Sequence, residues 1–400
     1  MKMLLTLHSN IQFIYELVLA QMELDSFGVN YQVDNSLRRF IAEEGFNPDH
    51  LAKCCAYFKE INGILSDYHF IQQYNQTRSI NQYLTHWFYP YKGKFHPQMV
   101  RALCNIIGLK KGDLLLDPFV GSGTAALEAQ LLGIDFIGVD ISPLCVLQSR
   151  VKTESLSVLD EIMKLRGKIQ PLGRGMKRDN PRTELLFKPM TYEDIQNPKV
   201  RNFYILAEMI AHSDSERRRR DFTQSFKLNV DKMIASVEDY KRVVEKLGLM
   251  LGEVTIRQID SRNLDLSDES VDGIITSPPY SIALNYVEND AHALEALGYD
   301  LTKIKDDFIG VRGRGPERFR LYYQDMECCY KEMYRVLKPR RYCVIVIGNV
   351  TYQGKEEKTS EWTKECCKRV GFKLVREIDK IVFGLYNVIQ QEFIQIYKKE

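Results

Sequence analysis

The sequence predicts an α/β fold with a doubly wound, mostly parallel sheet. Strand-like segments at residues 114–116, 134–140 and 254–259 alternate with helix-like segments, and an apolar run at 271–275 precedes Ser277-Pro278-Pro279-Tyr280. Strands that are buried on both faces give continuous apolar runs, and alternation with helices favours parallel pairing. We therefore expect these strands to bind a ligand at their carboxyl ends.

The tetrapeptide Ser277-Pro278-Pro279-Tyr280 carries groups that can hold a planar amine. Two consecutive prolines fix φ and donate no backbone hydrogen bond, so the carbonyl groups around them stay rigid and free to accept. The Ser277 hydroxyl and the Pro278 carbonyl can accept both hydrogens of the amine, beside the ring face of Tyr280. This favours the pyramidal amine, whose lone pair can attack an electrophile. The alternative interpretation is a proline-rich turn after a strand.

A glycine-bearing turn, Asp117-Pro118-Phe119-Val120-Gly121-Ser122-Gly123-Thr124, follows the first run and leads into a helical pattern. Gly121 and Gly123 permit positive φ and let a ligand approach the backbone beside a helix amino terminus. Such a turn could equally serve a dinucleotide. Asp140 ends the next strand and is suited to bind ribose hydroxyls. Asp260 follows the third strand and could accept from an adenine amine.

In this order, the motifs resemble those of the amino-group DNA methyltransferases that use S-adenosylmethionine. Residues 91–97 look like the family segment that closes over the methionine moiety, and residues 333–349 look like its helix, turn and fifth strand. The resemblance covers roughly residues 85–150 and 250–400. It implies a seven-stranded Rossmann-like methyltransferase sheet with S-adenosylmethionine as the cofactor.

The resemblance also implies site residues. The implied catalytic residues are Ser277, Pro278, Pro279 and Tyr280. The implied cofactor-binding residues are Lys94, Phe95, His96, Asp117, Pro118, Phe119, Gly121, Gly123, Thr124, Asp140, Ile141 and Asp260. The target base must flip out of the duplex, because its exocyclic nitrogen cannot reach a buried cofactor while stacked. Serine at position 277 is more typical of cytosine-N4 enzymes, whereas adenine-specific members usually carry Asp or Asn there, so cytosine is favoured and adenine N6 stays open.

The motifs divide the chain into four parts. Residues 1–84, with apolar residues at helix spacing, are predicted to be a helical N-terminal extension. Residues 85–150 and 252–400 would form the two parts of the methyltransferase core. Residues 151–251, with long charged helical patterns, would form a helical insertion and the candidate target-recognition region.

Two basic segments are candidates for nucleic-acid binding. The insertion contains Arg217, Arg218, Arg219 and Arg220, with Phe203, Tyr204, Phe222 and Phe226 nearby in the sequence. Arginine neutralises phosphates, and aromatic side chains can stack on opened bases. The alternative interpretation is a solvated helix face. The second candidate is Arg312 and Arg314 in the glycine-rich stretch 310–315.

Composition limits the remaining interpretations. A formal net charge of +2 means that any DNA-facing positive surface is local. The nine cysteines show no Cys-x-x-Cys spacing, which predicts reduced thiols, no metal site and a cytoplasmic protein. The apolar runs are too short or too polar to span a membrane, so we expect no membrane anchor. We expect double-stranded DNA as the partner, a monomer or homodimer, and a cognate restriction endonuclease as a candidate partner. An RNA methyltransferase acting on guanine N2 of transfer RNA and a catalytically idle binding subunit stay open.

Overall fold

The computed structural model describes residues 2–172, 190–280, 286–313, 315–352, 355–383 and 389–400. In chain order, the strands of this part of the chain are β1 (Met3–Leu7), β2 (Tyr31–Val33), β3 (Arg39–Ala42), β4 (Phe58–Ile61), β5 (Ile64–Leu65), β6 (Leu114–Asp117), β7 (Asp135–Asp140), β8 (Val254–Gln258), β9 (Val271–Thr276), β10 (Leu337–Gly348), β11 (Val350–Tyr352), β12 (Lys355–Glu357), β13 (Phe372–Phe383) and β14 (Ile389–Lys399).

The helices of the same residues are α1 (Ile14–Ser26), α2 (Pro48–Cys54), α3 (Asp67–Gln73), α4 (Pro97–Ile106), α5 (Thr124–Leu131), α6 (Pro143–Glu154), α7 (Leu159–Leu165), α8 (Pro198–Arg218), α9 (Phe222–Leu247), α10 (Tyr286–Asn289), α11 (Ala291–Ala296), α12 (Leu301–Asp307), α13 (Pro316–Val336) and α14 (Thr359–Val370). Short 3₁₀ helices occur at Ile80–Gln82, Ser155–Val158 and Tyr192–Asp194.

The central sheet has seven strands in the order β13-β14-β10-β9-β6-β7-β8. Strands β10, β9, β6, β7 and β8 pair in parallel, whereas β14 runs antiparallel to both β10 and β13. Every residue of β9 is buried, as expected for a central strand of a parallel sheet, although the strand includes Asp272 and Thr276. The predicted doubly wound, mostly parallel sheet is confirmed.

The strand order reverses direction between β6 and β9. From β6 the chain adds β7 and β8 on one side, and from β9 it adds β10 on the other. In open α/β sheets, ligands bind outside the carboxyl ends of the strands at such a switch point. The predicted glycine turn follows β6 and the predicted tetrapeptide follows β9, so both lie at this point.

The N-terminal region is not a helical extension, and this part of the prediction is wrong. Besides α1, α2 and α3, it contains a five-stranded antiparallel sheet in the order β2-β3-β1-β4-β5. These strands have two to five residues each. So short a run shows the period of two for only one or two repeats, and spacing alone then does not distinguish a strand from a helix. Whether these segments form strands or helices is decided by their pairing with segments far away in the chain.

The N-terminal sheet and the central sheet share one hydrophobic cluster. Leu5 of β1, Leu19 of α1 and Phe58 of β4 belong to the same buried cluster as Leu103 of α4 and Leu115 of β6. The N-terminal region therefore packs on the central sheet and contributes to the core that carries the switch point.

The described part of the insertion, residues 151–172 and 190–251, contains two long helices with local start and stop signals. Asn197 accepts from the Lys199 backbone N–H at the start of α8, ahead of Pro198. Asp221 accepts from the Gln224 N–H at the start of α9, which ends at Gly248 in the left-handed region. Capping by Asn or Asp and termination by Gly are the usual boundary signals of helices.

Within the described residues, no helix is long and apolar enough to cross a membrane. The same residues bring no three His, Cys, Asp or Glu side chains together as ligands for a metal ion.

Arg101 of α4 joins the N-terminal region to the core. Its side chain is 1% exposed and donates to the carbonyl oxygens of Cys54 and Lys53, at 3.2 and 3.1 Å. Its Nη1 lies 3.6 Å from Oε2 of Glu128, a fully buried residue of α5. The guanidinium therefore satisfies two carbonyl groups of the N-terminal region and faces a buried carboxylate of the core.

Replacing Arg101 by Met would keep much of the side-chain volume but leave the Glu128 carboxylate without this charge partner. Breaking a buried ion pair costs about 3–5 kcal/mol, so we expect the free energy of unfolding in urea to fall by about that amount. Arg39→Met at an exposed position of β3 is the matched control, with an expected change within about 0.5 kcal/mol. Equal changes in both variants would contradict the role given to Arg101.

Candidate functional site

A cleft of about 1050 Å³ opens at the carboxyl ends of the central strands. It is large enough for two planar groups, since pockets for single small ligands measure about 300–1,000 Å³. Most of the predicted site residues line it: Lys94, Phe95, Asp117, Phe119, Gly121, Thr124, Asp140, Ile141, Asp260, Ser277, Pro279 and Tyr280. The fold thus brings the motifs, which are distant in sequence, to one cavity.

Asp140 holds the glycine turn in place at the end of β7. Its Oδ2 accepts from the Gly121 N–H and its Oδ1 from the Ser142 N–H, both at 2.9 Å. Burial raises the pKa of Asp140 to about 6, although these two hydrogen bonds act in the opposite direction. A carboxylate at this edge, next to a glycine turn that lines the cleft, can also accept from hydroxyl groups of a bound nucleoside.

Asp117 connects the two strands that flank the switch point. Its Oδ1 accepts from the Thr276 hydroxyl at 2.6 Å and from the Phe119 N–H at 3.0 Å. Burial raises the pKa of Asp117 to about 7, and the charge of Asp140 adds to that effect, while the two hydrogen bonds lower it. The cleft wall therefore contains a carboxyl group that titrates near neutral pH.

The tetrapeptide follows β9 directly, as predicted. Ser277, Pro279 and Tyr280 line the cleft, whereas Pro278 is buried behind them. The Tyr280 hydroxyl donates to Oε1 of Glu392 on β14 at 2.7 Å. A hydroxyl, a rigid proline pair and an aromatic ring therefore face the same cavity as the glycine turn.

Three residues predicted to bind the cofactor do not line the cleft. Gly123 caps α5 in the left-handed region, and a Cβ there would lie 2.9 Å from the Ser149 Cα, so glycine is required for packing against α6. Pro118 accepts from the Ser261 hydroxyl through its carbonyl. His96 is the residue before α4, and burial lowers its pKa to about 4. The structure gives all three positions local structural contacts.

Asp260 lines the cleft but is already paired. Both of its carboxylate oxygens accept from the Arg262 guanidinium, at 2.5 to 3.0 Å. Burial acts to raise the pKa of Asp260, but hydrogen bonds and the charge of Arg262 outweigh it and lower the pKa. Arg262 also donates to Asp325 of α13 at 3.0 Å. The predicted contact of Asp260 with an adenine amine stays a prediction.

The four arginines of the insertion are partly neutralised by carboxylates. Arg218 and Arg220 lie 2.9 and 3.6 Å from Asp214, and Arg217 donates to the Asn289 carbonyl at 2.8 Å. Arg219 ends α8 and is exposed. Their contact with DNA stays a prediction.

Three of the four aromatic residues predicted to interleave with the arginine run are buried. Phe203, Tyr204 and Phe226 are at most 2% exposed, and Phe222 packs against His212 with 4.6 Å between ring centroids. The expectation that they could stack on bases is wrong for the three buried rings, because the two long helices bury them between each other and the core.

Arg312, in the glycine-rich stretch that follows the tetrapeptide in the chain, also makes an internal contact. Arg312 donates to both oxygens of Asp325, at 2.5 and 2.6 Å. Arg314 lies outside the described residues. The predicted role of these arginines in clamping a DNA backbone stays a prediction.

The motifs did not identify several residues of the cleft. Tyr91 lies against the glycine turn: a Cβ on Gly121 would be 3.3 Å from its hydroxyl. Tyr91 is the first residue of the segment 91–97 that resembles the family, so the sequence could have identified it as a residue of the cleft. Lys380 and Glu392 come from β13 and β14, and Asp290 from the turn before α11. These residues reach the cleft through contacts between distant parts of the chain, which the local sequence does not predict.

Residues 32–149 match the DNA methylase family of N6 and N4 enzymes. The chain is 25% identical over 327 residues to the Type II methyltransferase M.BsoBI of Geobacillus stearothermophilus, covering 65% of this chain and 64% of that protein. It is 23% identical over 355 residues to the Type II methyltransferase M.MvaI of Kocuria varians, covering 67% of this chain and 77% of that protein.

A third relative has a different substrate in its name. A short stretch of 84 residues is 34% identical to the tRNA (guanine(10)-N2)-dimethyltransferase of Methanocaldococcus jannaschii, covering 21% of this chain and 23% of that protein. The two Type II relatives match over most of the chain. The predicted resemblance to the amino-group DNA methyltransferases is confirmed.

The requirement for glycine at position 123 can be tested against a matched glycine. Gly28 and Gly123 both have positive φ, but a Cβ at Gly28 would have no neighbour within 4 Å. Gly28→Ala should cost roughly 1–2 kcal/mol from the left-handed conformation alone. Gly123→Ala should cost about 1–3 kcal/mol more in chemical denaturation, because its Cβ would meet backbone. Equal losses would show that Ser149 does not constrain this turn.

Proposed function

Starting from this match to the DNA methylase family, we propose that the protein methylates an exocyclic amine of a base flipped out of double-stranded DNA, with cytosine N4 as the favoured target. The observation that carries the proposal is the meeting of Ser277 and Tyr280 with the glycine turn and Asp140 in one cleft. The two groups of residues suit the two reactants, an amine and a nucleoside-bearing methyl donor.

The residues of the cleft fit S-adenosylmethionine. Asp140 offers a carboxylate for ribose hydroxyls, and Gly121, which has no side chain, lines the cleft beside it. Asp117 adds a second carboxylate, which complements the positive charge of a sulfonium and an ammonium group. When bound, the cofactor would supply an electrophilic methyl group on sulfur.

The tetrapeptide would prepare the amine. The Ser277 hydroxyl, which faces the cleft, would accept one of its hydrogens, and the Tyr280 ring would stack on the base. Pro278 is buried outside the lining of the cleft, so its predicted carbonyl contact is not part of this proposal. Ser277 and Tyr280 would hold the amine nitrogen toward the methyl group that the cofactor supplies, and the nitrogen would release one proton to solvent after the transfer. Holding the reacting atoms about 3–3.5 Å apart supplies much of the acceleration.

Serine at position 277 favours cytosine N4 within this family, and adenine N6 is the second candidate. Guanine N2 of transfer RNA is a third candidate, supported by the short match to the archaeal enzyme. The long matches to two Type II methyltransferases favour DNA and make a cognate restriction endonuclease a candidate partner.

Single-molecule sequencing of DNA from cells that express the protein tests this proposal, because it reports the modified base and its sequence context together. We expect N4-methylcytosine at a fixed motif. Ser277→Ala should lower kcat about 10²–10³-fold, the usual effect of removing one transition-state hydrogen-bonding group, with unchanged affinity for S-adenosylmethionine. A wild-type rate in Ser277→Ala would overturn the mechanism. Wild-type samples with neither cytosine nor adenine methylated would overturn the DNA assignment.

Cofactor affinity should depend on pH through Asp117. Burial raises the pKa of this carboxyl group to about 7, so it is largely neutral below that pH and charged above it. The charged form attracts the cationic cofactor, so affinity measured by calorimetry should rise severalfold from pH 6 to pH 8. Asp117→Asn should bind more weakly at pH 8 and show a flatter profile. A wild-type profile in Asp117→Asn would exclude Asp117 as the titrating group.

A further inference from the structure

We propose that Glu392 is a positioning residue that fixes the ring of Tyr280 for the flipped base. This inference rests on the proposed function, since it assigns a role within the same cleft. Glu392 lies on β14, more than 100 positions after the tetrapeptide, and contacts Tyr280 through the hydrogen bond at 2.7 Å.

A row of three residues across the sheet forms the floor beneath Tyr280. In the strand register, Gly348 of β10 lies opposite Glu392 of β14, and Glu392 lies opposite Lys380 of β13. Side chains at directly opposite positions point to the same face of a sheet. All three residues line the cleft, so the row faces the cavity.

Each member of the row contributes a different property. Gly348 has no side chain, and the Tyr280 ring occupies the space above it: a Cβ there would lie 3.2 Å from a ring carbon. Glu392 uses Oε1 to accept from the Tyr280 hydroxyl and Oε2 to bind the Lys380 ammonium. The ring is thus held by contact at its side and by a hydrogen bond at its end.

The carboxylate itself is held in place by its partner. The side chains of Lys380 and Glu392 are only 12% and 18% exposed, so their ion pair is largely shielded from water. Lys380 Nζ lies 6.0 Å from the ring centroid of Tyr15, a buried residue of α1. Through Lys380, the N-terminal region reaches the cleft.

Preorganisation explains why this arrangement matters for the reaction. A tyrosine side chain that rotates freely must lose rotamer entropy when a base stacks on it. A ring that is already held at its side and at its hydroxyl has lost that entropy on folding. A hydrogen bond to a charged acceptor is stronger than one between neutral groups. Glu392 therefore acts through Tyr280 and requires no contact with the base or the cofactor.

The matched test is a double-mutant cycle on turnover. Glu392→Ala and Tyr280→Phe each remove the hydrogen bond, and each should lower kcat about tenfold, as expected for a hydrogen bond to a charged group. KM for S-adenosylmethionine should not change. The double variant should be no slower than either single variant, because both changes remove the same interaction. Glu392→Gln keeps an acceptor and should recover part of the rate.

Glu400→Ala is the control for loss of a carboxylate. Glu400 pairs with Lys373 at 2.7 Å beside the opposite ends of β13 and β14, and both side chains are exposed. Its removal should leave kcat unchanged. A wild-type kcat in Glu392→Ala, or a double variant whose loss is the product of the two single losses, would overturn the inference.

A readout without turnover separates this inference from the proposed function. In protein with ¹³Cζ-labelled tyrosine, the resonance that disappears in Tyr280→Phe reports on Tyr280. We expect it to shift in Glu392→Ala and to stay in place in Glu400→Ala. An unshifted resonance in Glu392→Ala would overturn the positioning role even if the wild type methylates DNA. If the wild type methylates no base and the resonance shifts, the proposed function fails while the contact stands.

Discussion

The hydrogen bond between Thr276 and Asp117 joins the two halves of the cleft. It links the last residue of β9 to the last residue of β6, across the point where the strand order reverses. The glycine turn leaves from one of these strands and the tetrapeptide from the other. Because the glycine turn and the tetrapeptide both begin at fixed positions, the methyl donor and the amine of the proposed reaction would be held at a defined separation.

The carboxyl groups near the switch point both stabilise the fold and face the cavity. Asp140 accepts from two backbone N–H groups and shapes the glycine turn, while it also faces the cavity. Burial raises the pKa values of Asp117 and Asp140 to about 7 and about 6. Groups with perturbed pKa values in a cleft are typical of functional sites. A cationic ligand would offset the cost of burying these charges, which is consistent with the proposed cofactor.

The charged segments outside the cleft show why arginine runs need a tertiary context. Arg218 and Arg220 lie beside Asp214, and Arg312 binds Asp325. Each of these carboxylates is almost fully buried, so the arginines neutralise charges that the fold itself has placed there. Their charge therefore contributes less to any nucleic-acid surface than its density in the sequence indicates.

The sequence by itself determined the central sheet and the two motifs at its edge. Buried parallel strands require continuous apolar runs, and a tight turn beside a helix requires glycine, so residues 114–124 and 271–280 carried a local signal. Tertiary structure decided the N-terminal sheet, whose strands are too short to show a period. It also decided that Phe203 and Tyr204 are buried and that Glu392 meets Tyr280. Such contacts depend on pairing between segments far apart in the chain, and no local pattern encodes that pairing.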